Sequence, residues 1–138
     1  MIVQTQTTSF KKELYEGIHD LLTDTIKIAL YTALADLTES TTEYTTVNEI
    51  NGAGYIAGGN ILTGATVGSS GNTAYVSFNN SQWTSATFTC RGALIYNETK
   101  GNKSIAILDF GSDKTVTSNT FTVTFPYNDA SNAIIRMS

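Results

Sequence analysis

Thr120-Phe121-Thr122-Val123-Thr124-Phe125 places a large apolar side chain at every second position and a threonine between each pair. Successive side chains of a strand point to opposite faces. The stretch therefore predicts a strand whose Phe121, Val123 and Phe125 face a core. Thr120, Thr122 and Thr124 face outward or into an interface. Pro126, the only proline of the chain, has no amide hydrogen to give a ladder and marks the strand's end.

The same period of two extends outward from this segment. Residues 133–137 can form a last strand. Upstream, 105–110 is almost entirely apolar, which predicts a strand covered on both faces. In 86–96 one face carries Ala86, Phe88, Cys90, Gly92, Leu94 and Tyr96, and the other Thr87, Thr89, Arg91, Ala93 and Ile95. Ala74, Val76 and Phe78 alternate with Tyr75, Ser77 and Asn79. Ile26, Ile28 and Leu30 alternate with Lys27, Ala29 and Tyr31. The Thr/Glu-rich stretch 38–46 reads as a loop, and Asn51-Gly52-Ala53-Gly54 as a turn. Strands separated by Gly, Asn and Ser turns, with no βαβ alternation, predict a mainly β fold. It is an antiparallel β-sandwich or a jelly-roll-like barrel.

One element has a different period. Phe10, Leu14, Ile18, Leu21 and Leu22 recur at spacings of three and four, which predicts an N-terminal α-helix over 10–22 capped by Ser9, with Gly17 weakening it slightly. Residues 1–8 are polar and lack any helical pattern. The expected organisation is an extended N-terminal arm, 1–9, and a single β-rich domain with its N-terminal helix, 10–138. The arm is expected to order only against a neighbouring subunit or the surface the protein binds.

Composition narrows the function classes. A chain of 138 residues fits one domain. Its net charge of −4 argues against a nucleic-acid partner, which would require a basic surface. Charged residues make up only 14%, so solubility rests on Thr, Ser and Asn, and a surface of that kind is easily desolvated in permanent assembly. No apolar run reaches the roughly 20 residues of a membrane span, and 1–12 has no signal-peptide pattern. A soluble protein made in a cytoplasm is expected, so the triplets Asn97-Glu98-Thr99 and Asn102-Lys103-Ser104 carry no weight as glycosylation sites.

Candidate chemistry is sparse. A single histidine, His19, excludes a multi-histidine metal site, and beside Asp20 it reads as a partly exposed helix residue. Cys90, the one cysteine, has no partner for an intrachain disulfide. Asp109 and Asp113 could bind a cation or act as an acid/base pair. Calcium takes six to eight oxygen ligands, so the reading preferred is a strand-end anchor and a turn residue. Residues 52–59 are glycine-rich but lack the Gly-Lys-Ser/Thr ending of a phosphate loop, and read as close backbone packing. Trp83 with the tyrosines could form a sugar platform; a rim or core role is the commoner one. No catalytic residue, metal ligand or cofactor site is expected, and the protein is read as not an enzyme.

Further blocks carry a likeness. They are 10–22 leading into Ile26-Lys27-Ile28-Ala29-Leu30-Tyr31, Tyr44 and Glu49 before Gly54-Tyr55-Ile56-Ala57-Gly58-Gly59, and Trp83-Thr84-Ser85-Ala86-Thr87-Phe88. Then come Arg91-Gly92-Ala93-Leu94-Ile95-Tyr96-Asn97, Leu108-Asp109-Phe110-Gly111 and the 121–125 strand. In these blocks, most of the chain after residue 9, the sequence resembles small tailed-phage virion structural proteins of the capsid cement or decoration type. The resemblance implies a protein of the capsid surface that binds the major capsid protein and self-associates, as a trimer. A head-fibre or tail-associated module recognising host glycans is the alternative.

The alternation in 120–125 gives a direct test. Phe121→Ala should cost about 3–5 kcal/mol, and Thr122→Ala no more than about 0.5 kcal/mol. Urea melts of the two variants with similar midpoints would show that the register is wrong.

Overall fold

A computed structural model describes residues 1–126, 129 and 131–137; Ser138, the end of the expected domain, lies outside these. Among the described residues the fold is mainly β, with two antiparallel sheets and one short helix, α1 (Thr8–Tyr15). The larger sheet holds five strands in the order β1 (Thr5–Gln6), β7 (Lys103–Val123), β6 (Ser81–Asn97), β2 (Ile26–Tyr31) and β3 (Asn60–Ile61). The smaller has β4 (Thr66–Ser70), β5 (Thr73–Ser77) and β8 (Ile135–Met137). The arrangement is of the sandwich kind, and among the described residues no sheet closes into a barrel.

The core follows from the alternation. Ile26, Ile28 and Leu30 of β2 pack with Ala93 and Ile95 of β6, Ile105 and Leu108 of β7, and Val76 and Ile135 of the smaller sheet. The opposite face of the same strands carries Ala29, Tyr31, Leu94, Tyr96 and Ile107, which pack with Ala35 and Leu37 and, partly buried, Ile2 and Tyr44. The centre of the larger sheet is thus enclosed on both sides, as the apolar run at 105–108 requires. At the far end of β7, Val123 and the adjoining Phe125 are buried, Phe121 is half-buried, and Thr120, Thr122 and Thr124 are exposed.

The faces of β6 do not run straight through. Phe88 and Cys90 share the main core with Ala93 and Ile95, whereas Leu94 and Tyr96 belong to the second cluster. The expected single face from Ala86 to Tyr96 is therefore broken. Its cause is a jump in the ladder: Cys90 lies opposite Lys114, but Gly92 opposite Asp109. Extra residues inserted on one strand change which face the following side chains occupy. Gly111, at φ +82°, sits within this bulge, and its amide donates to Asp109 Oδ1 at 2.9 Å.

The helix is shorter than the apolar spacing predicts. Thr7, not Ser9, caps it, the Thr7 Oγ1 accepting from Phe10 N at 3.3 Å. Gly17 ends it in the left-handed region at φ +70°. Ile18 N donates to Glu13 O at 3.0 Å and Gly17 N to Leu14 O at 3.1 Å. These are the paired bonds of a Schellman stop. Gly17 thus terminates the helix, and Ile18, Leu21 and Leu22 follow in non-helical chain.

Residues 1–8 also differ from expectation. Residues 1–7 are extended but lie on their own body, and Thr8 and Ser9, expected in the arm, already belong to α1. Thr5 and Gln6 pair with Ile107 and Ala106, Ile2 bridges Leu37, and Val3 N donates to Leu37 O at 2.9 Å. Thr7 is fully buried, its hydroxyl 2.9 Å from that of Ser104. The edge of β7 supplies a template that the polar sequence alone did not announce, because backbone pairing needs no side-chain pattern. Deleting residues 1–6 should lower the urea midpoint of the isolated protein, since it uncovers Leu37 and Ile107 and strips the β7 edge. An unchanged midpoint would show that the segment contributes nothing to its own fold.

Candidate functional site

The main polar cluster forms where the glycine-rich loop crosses the larger sheet. Gly59 lies against β2 so closely that a Cβ there would stand 1.8 Å from Ile28 O, and one on Gly52 would stand 2.4 Å from Thr87 O. Only glycine permits this approach. The loop is then tied down by one carboxylate. Glu49 accepts from Tyr44 Oη at 2.6 Å, from Gly58 N at 2.8 Å and from Tyr55 Oη. Tyr55 Oη in turn accepts from Leu30 N at 3.1 Å, Tyr96 Oη donates to Gly58 O at 2.7 Å, and the Tyr44 and Tyr96 rings stack 4.7 Å apart. Tyr31 Oη donates to Thr45 O at 2.6 Å.

Burial, reinforced by the Glu49 charge, pushes the Tyr31, Tyr44 and Tyr55 phenols well above the ordinary tyrosine range. Tyr96 is pushed up to about 12, by burial first and then by Glu98 and Glu49. These phenols hold their protons and serve as donors. The cluster is a latch of hydrogen bonds between loop and sheet.

His19 lies beyond the helix, not on it, and its side chain is fully enclosed. Its Nε2 is 2.9 Å from Glu13 Oε1, its Nδ1 is 3.0 Å from Asn97 Nδ2, and its ring is 5.0 Å from that of Phe10. Asn97 Nδ2 also donates to Asp24 Oδ2 at 2.8 Å, and Lys100 stands 3.8 Å from Asp24. Burial opposes ionisation of Asp24, but the Asn97 and Asp20 hydrogen bonds and the Lys100 charge hold its pKa below the usual value. The network pins the chain after α1 to the end of the β6–β7 hairpin. The partly exposed helical histidine expected from sequence is instead a buried tertiary tie, because Gly17 turns the chain back over Phe10.

The remaining candidates are dispersed. Asp109 anchors its bulge, its pKa lowered by the Gly111 amide and then by Arg91, whose Nε is 3.1 Å away. Asp113 is exposed and on the far side of Gly111. Cys90 is buried, and burial pushes its thiol up to about 12, away from thiolate chemistry. Trp83 is enclosed at 3% exposure beside Tyr55 and Phe121, its Nε1 without a partner among the described residues, so its ring offers no sugar platform. Among the described residues no group of three His, Cys, Asp or Glu side chains could hold a metal ion, and no helix is long and apolar enough to cross a membrane.

The Glu49 latch was missed as a unit in the sequence, although Tyr44, Glu49 and Tyr55 are all near one another in the chain. A lone acid between two tyrosines in a loop is a weak signal until the sheet supplies Tyr96 and Leu30 N. Comparison with protein-family models, curated proteins and solved structures finds no match.

The latch has a pH signature. A phenol whose pKa is raised in the fold contributes stability that is complete below its unfolded value, near 10, and is lost as pH rises above that value. The unfolding midpoint should therefore fall steeply above about pH 10. Tyr44→Phe should cost up to about 3 kcal/mol at neutral pH, the upper range for a hydrogen bond to a charged group. Denaturant melts over an alkaline series check both; a Tyr44→Phe midpoint equal to that of the parent would show that the latch is ornamental.

Proposed function

We propose that this chain is a structural, non-enzymatic component of a tailed-phage virion, binding the major capsid protein at the shell surface to decorate or cement subunits. The blocks that resemble such proteins fall on the frame of the fold. Residues 26–31 are β2, Tyr44, Glu49 and Tyr55 form the latch, and 83–97 and 108–111 belong to the β6–β7 ribbon.

One observation carries the reading. Beyond the bulge, β6 and β7 continue as a ribbon whose segments 81–90 and 115–123 contain no charged residue. Its exposed positions include Thr84, Thr87, Thr89, Thr115, Thr117, Thr120 and Thr122, with the Thr89 and Thr115 hydroxyls paired at 2.9 Å. Ions are the costly groups to strip of water, and hydroxyls are far less so. A long, uncharged stretch of exposed hydroxyls suits a permanent contact with a repeated surface, where many weak contacts add up. Self-association as a trimer and residence on the virion belong to the same reading. The alternative is a head-fibre or tail module recognising host glycans; the Trp83 ring, the candidate for a sugar platform, is enclosed.

The test is binding to purified empty capsids. Thr117→Lys and Thr120→Lys each place a charge on the ribbon at an exposed position and should weaken binding at least about tenfold, with melting unchanged. Copy number in purified virions should be that of a shell protein, many per particle. Failure of the parent protein to bind shells, or a copy number of only a few, overturns the reading.

A further inference from the structure

The exposed apolar side chains of this protein are not spread evenly. Nine large ones stand exposed among the described residues, and four of them, Tyr15 (90%), Leu22 (60%), Val67 (52%) and Met137 (44%), gather at one place. Leu22, Val67 and Met137 line an open groove of about 440 Å³ between the α1 region and the smaller sheet. Tyr15 borders an adjoining hollow that shares Leu14, Arg136 and Met137 with the groove. The sheet on this side ends in β4, an edge strand, which supplies Val67. A contiguous apolar patch beside a strand edge marks an interface.

We propose that this groove is covered by the same region of a second copy of the chain, the Tyr15 ring of one copy seating among Leu22, Val67 and Met137 of the other. Two features select a second copy as the occupant. A protruding ring and an open apolar groove occur on one patch, so the patch is complementary to itself. The margin also carries both signs of charge: Lys11 and Arg136 border the hollow, and Asp20 lines the groove. Among the described residues neither Lys11 nor Asp20 takes part in an ion pair. In the pair of copies Lys11 of one faces Asp20 of the other; a margin of a single sign would repel its own copy. The inference rests on the self-association in the function proposed above, but a self-complementary patch joins copies two by two; it is a pairwise contact beside the trimer, and none of its lining residues belongs to the charge-free ribbon segments.

Sedimentation velocity of the full chain over a concentration series tests it. The parent should associate in a concentration-dependent way. Tyr15→Ser and Leu22→Ser should each weaken association at least about tenfold; both side chains are exposed, and melts will confirm that the body is intact. Lys11→Glu should weaken it as well, and Lys11→Glu combined with Asp20→Lys should restore it. A parent that stays monomeric throughout overturns the groove proposal together with the oligomeric part of the function, while shell binding by the monomer would leave the capsid reading standing. Association that Tyr15→Ser and Leu22→Ser leave unchanged overturns the groove and keeps the oligomer. Failure of the charge swap to restore what Lys11→Glu removes overturns the proposed facing of Lys11 and Asp20.

Discussion

The centre of the larger sheet is buried on both faces, and the rest of the fold answers to that. Ile28, Ala29, Leu30 and Tyr31 are consecutive and fully enclosed, and so are Leu94 and Ile95 beside them. A strand in this position needs two covering layers. The smaller sheet and α1 give one, through Phe10, Val76 and Ile135. The second is assembled from chain with little regular structure: Ile2, Ala35, Leu37 and Tyr44. Each such side chain taken fully out of water contributes roughly 1.5–3 kcal/mol, set against an ordering cost of about 1–2 kcal/mol per residue. An irregular layer holds under those terms when its polar groups are bonded as well.

That requirement accounts for the polar clusters. The loop over the second face must cross β2, which only Gly59 permits, and it would leave Gly58 N and several phenols without water. Glu49 meets that demand by accepting from Tyr44, Tyr55 and Gly58. At the other end of the sheet, Asn97 is fully buried and divides its amide between His19 and Asp24. These residues resemble active-site chemistry in type, a carboxylate among tyrosines and a histidine between acids. In geometry they are closed ties whose donors and acceptors are already used on one another.

The surface divides in a complementary way. The extended β6–β7 ribbon exposes uncharged hydroxyls, while the groove beside α1 gathers exposed Tyr15, Leu22, Val67 and Met137. The first kind of surface costs little to dehydrate, and the second gains from dehydration.

The period of two in 26–31, 86–96 and 120–125, with the apolar block at 105–108, determined by itself that this is a β protein and where its principal strands lie, because strand geometry fixes alternation locally. Gly17 also carried the helix stop, although the spacing of Leu21 and Leu22 spoke for a longer helix; a left-handed glycine outweighs an apolar rhythm that non-helical chain can satisfy equally well. What only the tertiary structure decided are features made by residues distant in sequence. The Cys90–Gly92 irregularity swaps the faces of β6, and neither strand alone records the extra residues between Asp109 and Lys114. Thr5 and Gln6 become a strand because β7 presents an edge, and β3 and β4 are too short or too polar to carry a pattern. His19 and Glu49 acquire their partners from Asn97, Gly58 and Tyr55. Local geometry is written in local sequence, whereas pairing register and polar satisfaction depend on which distant group arrives opposite.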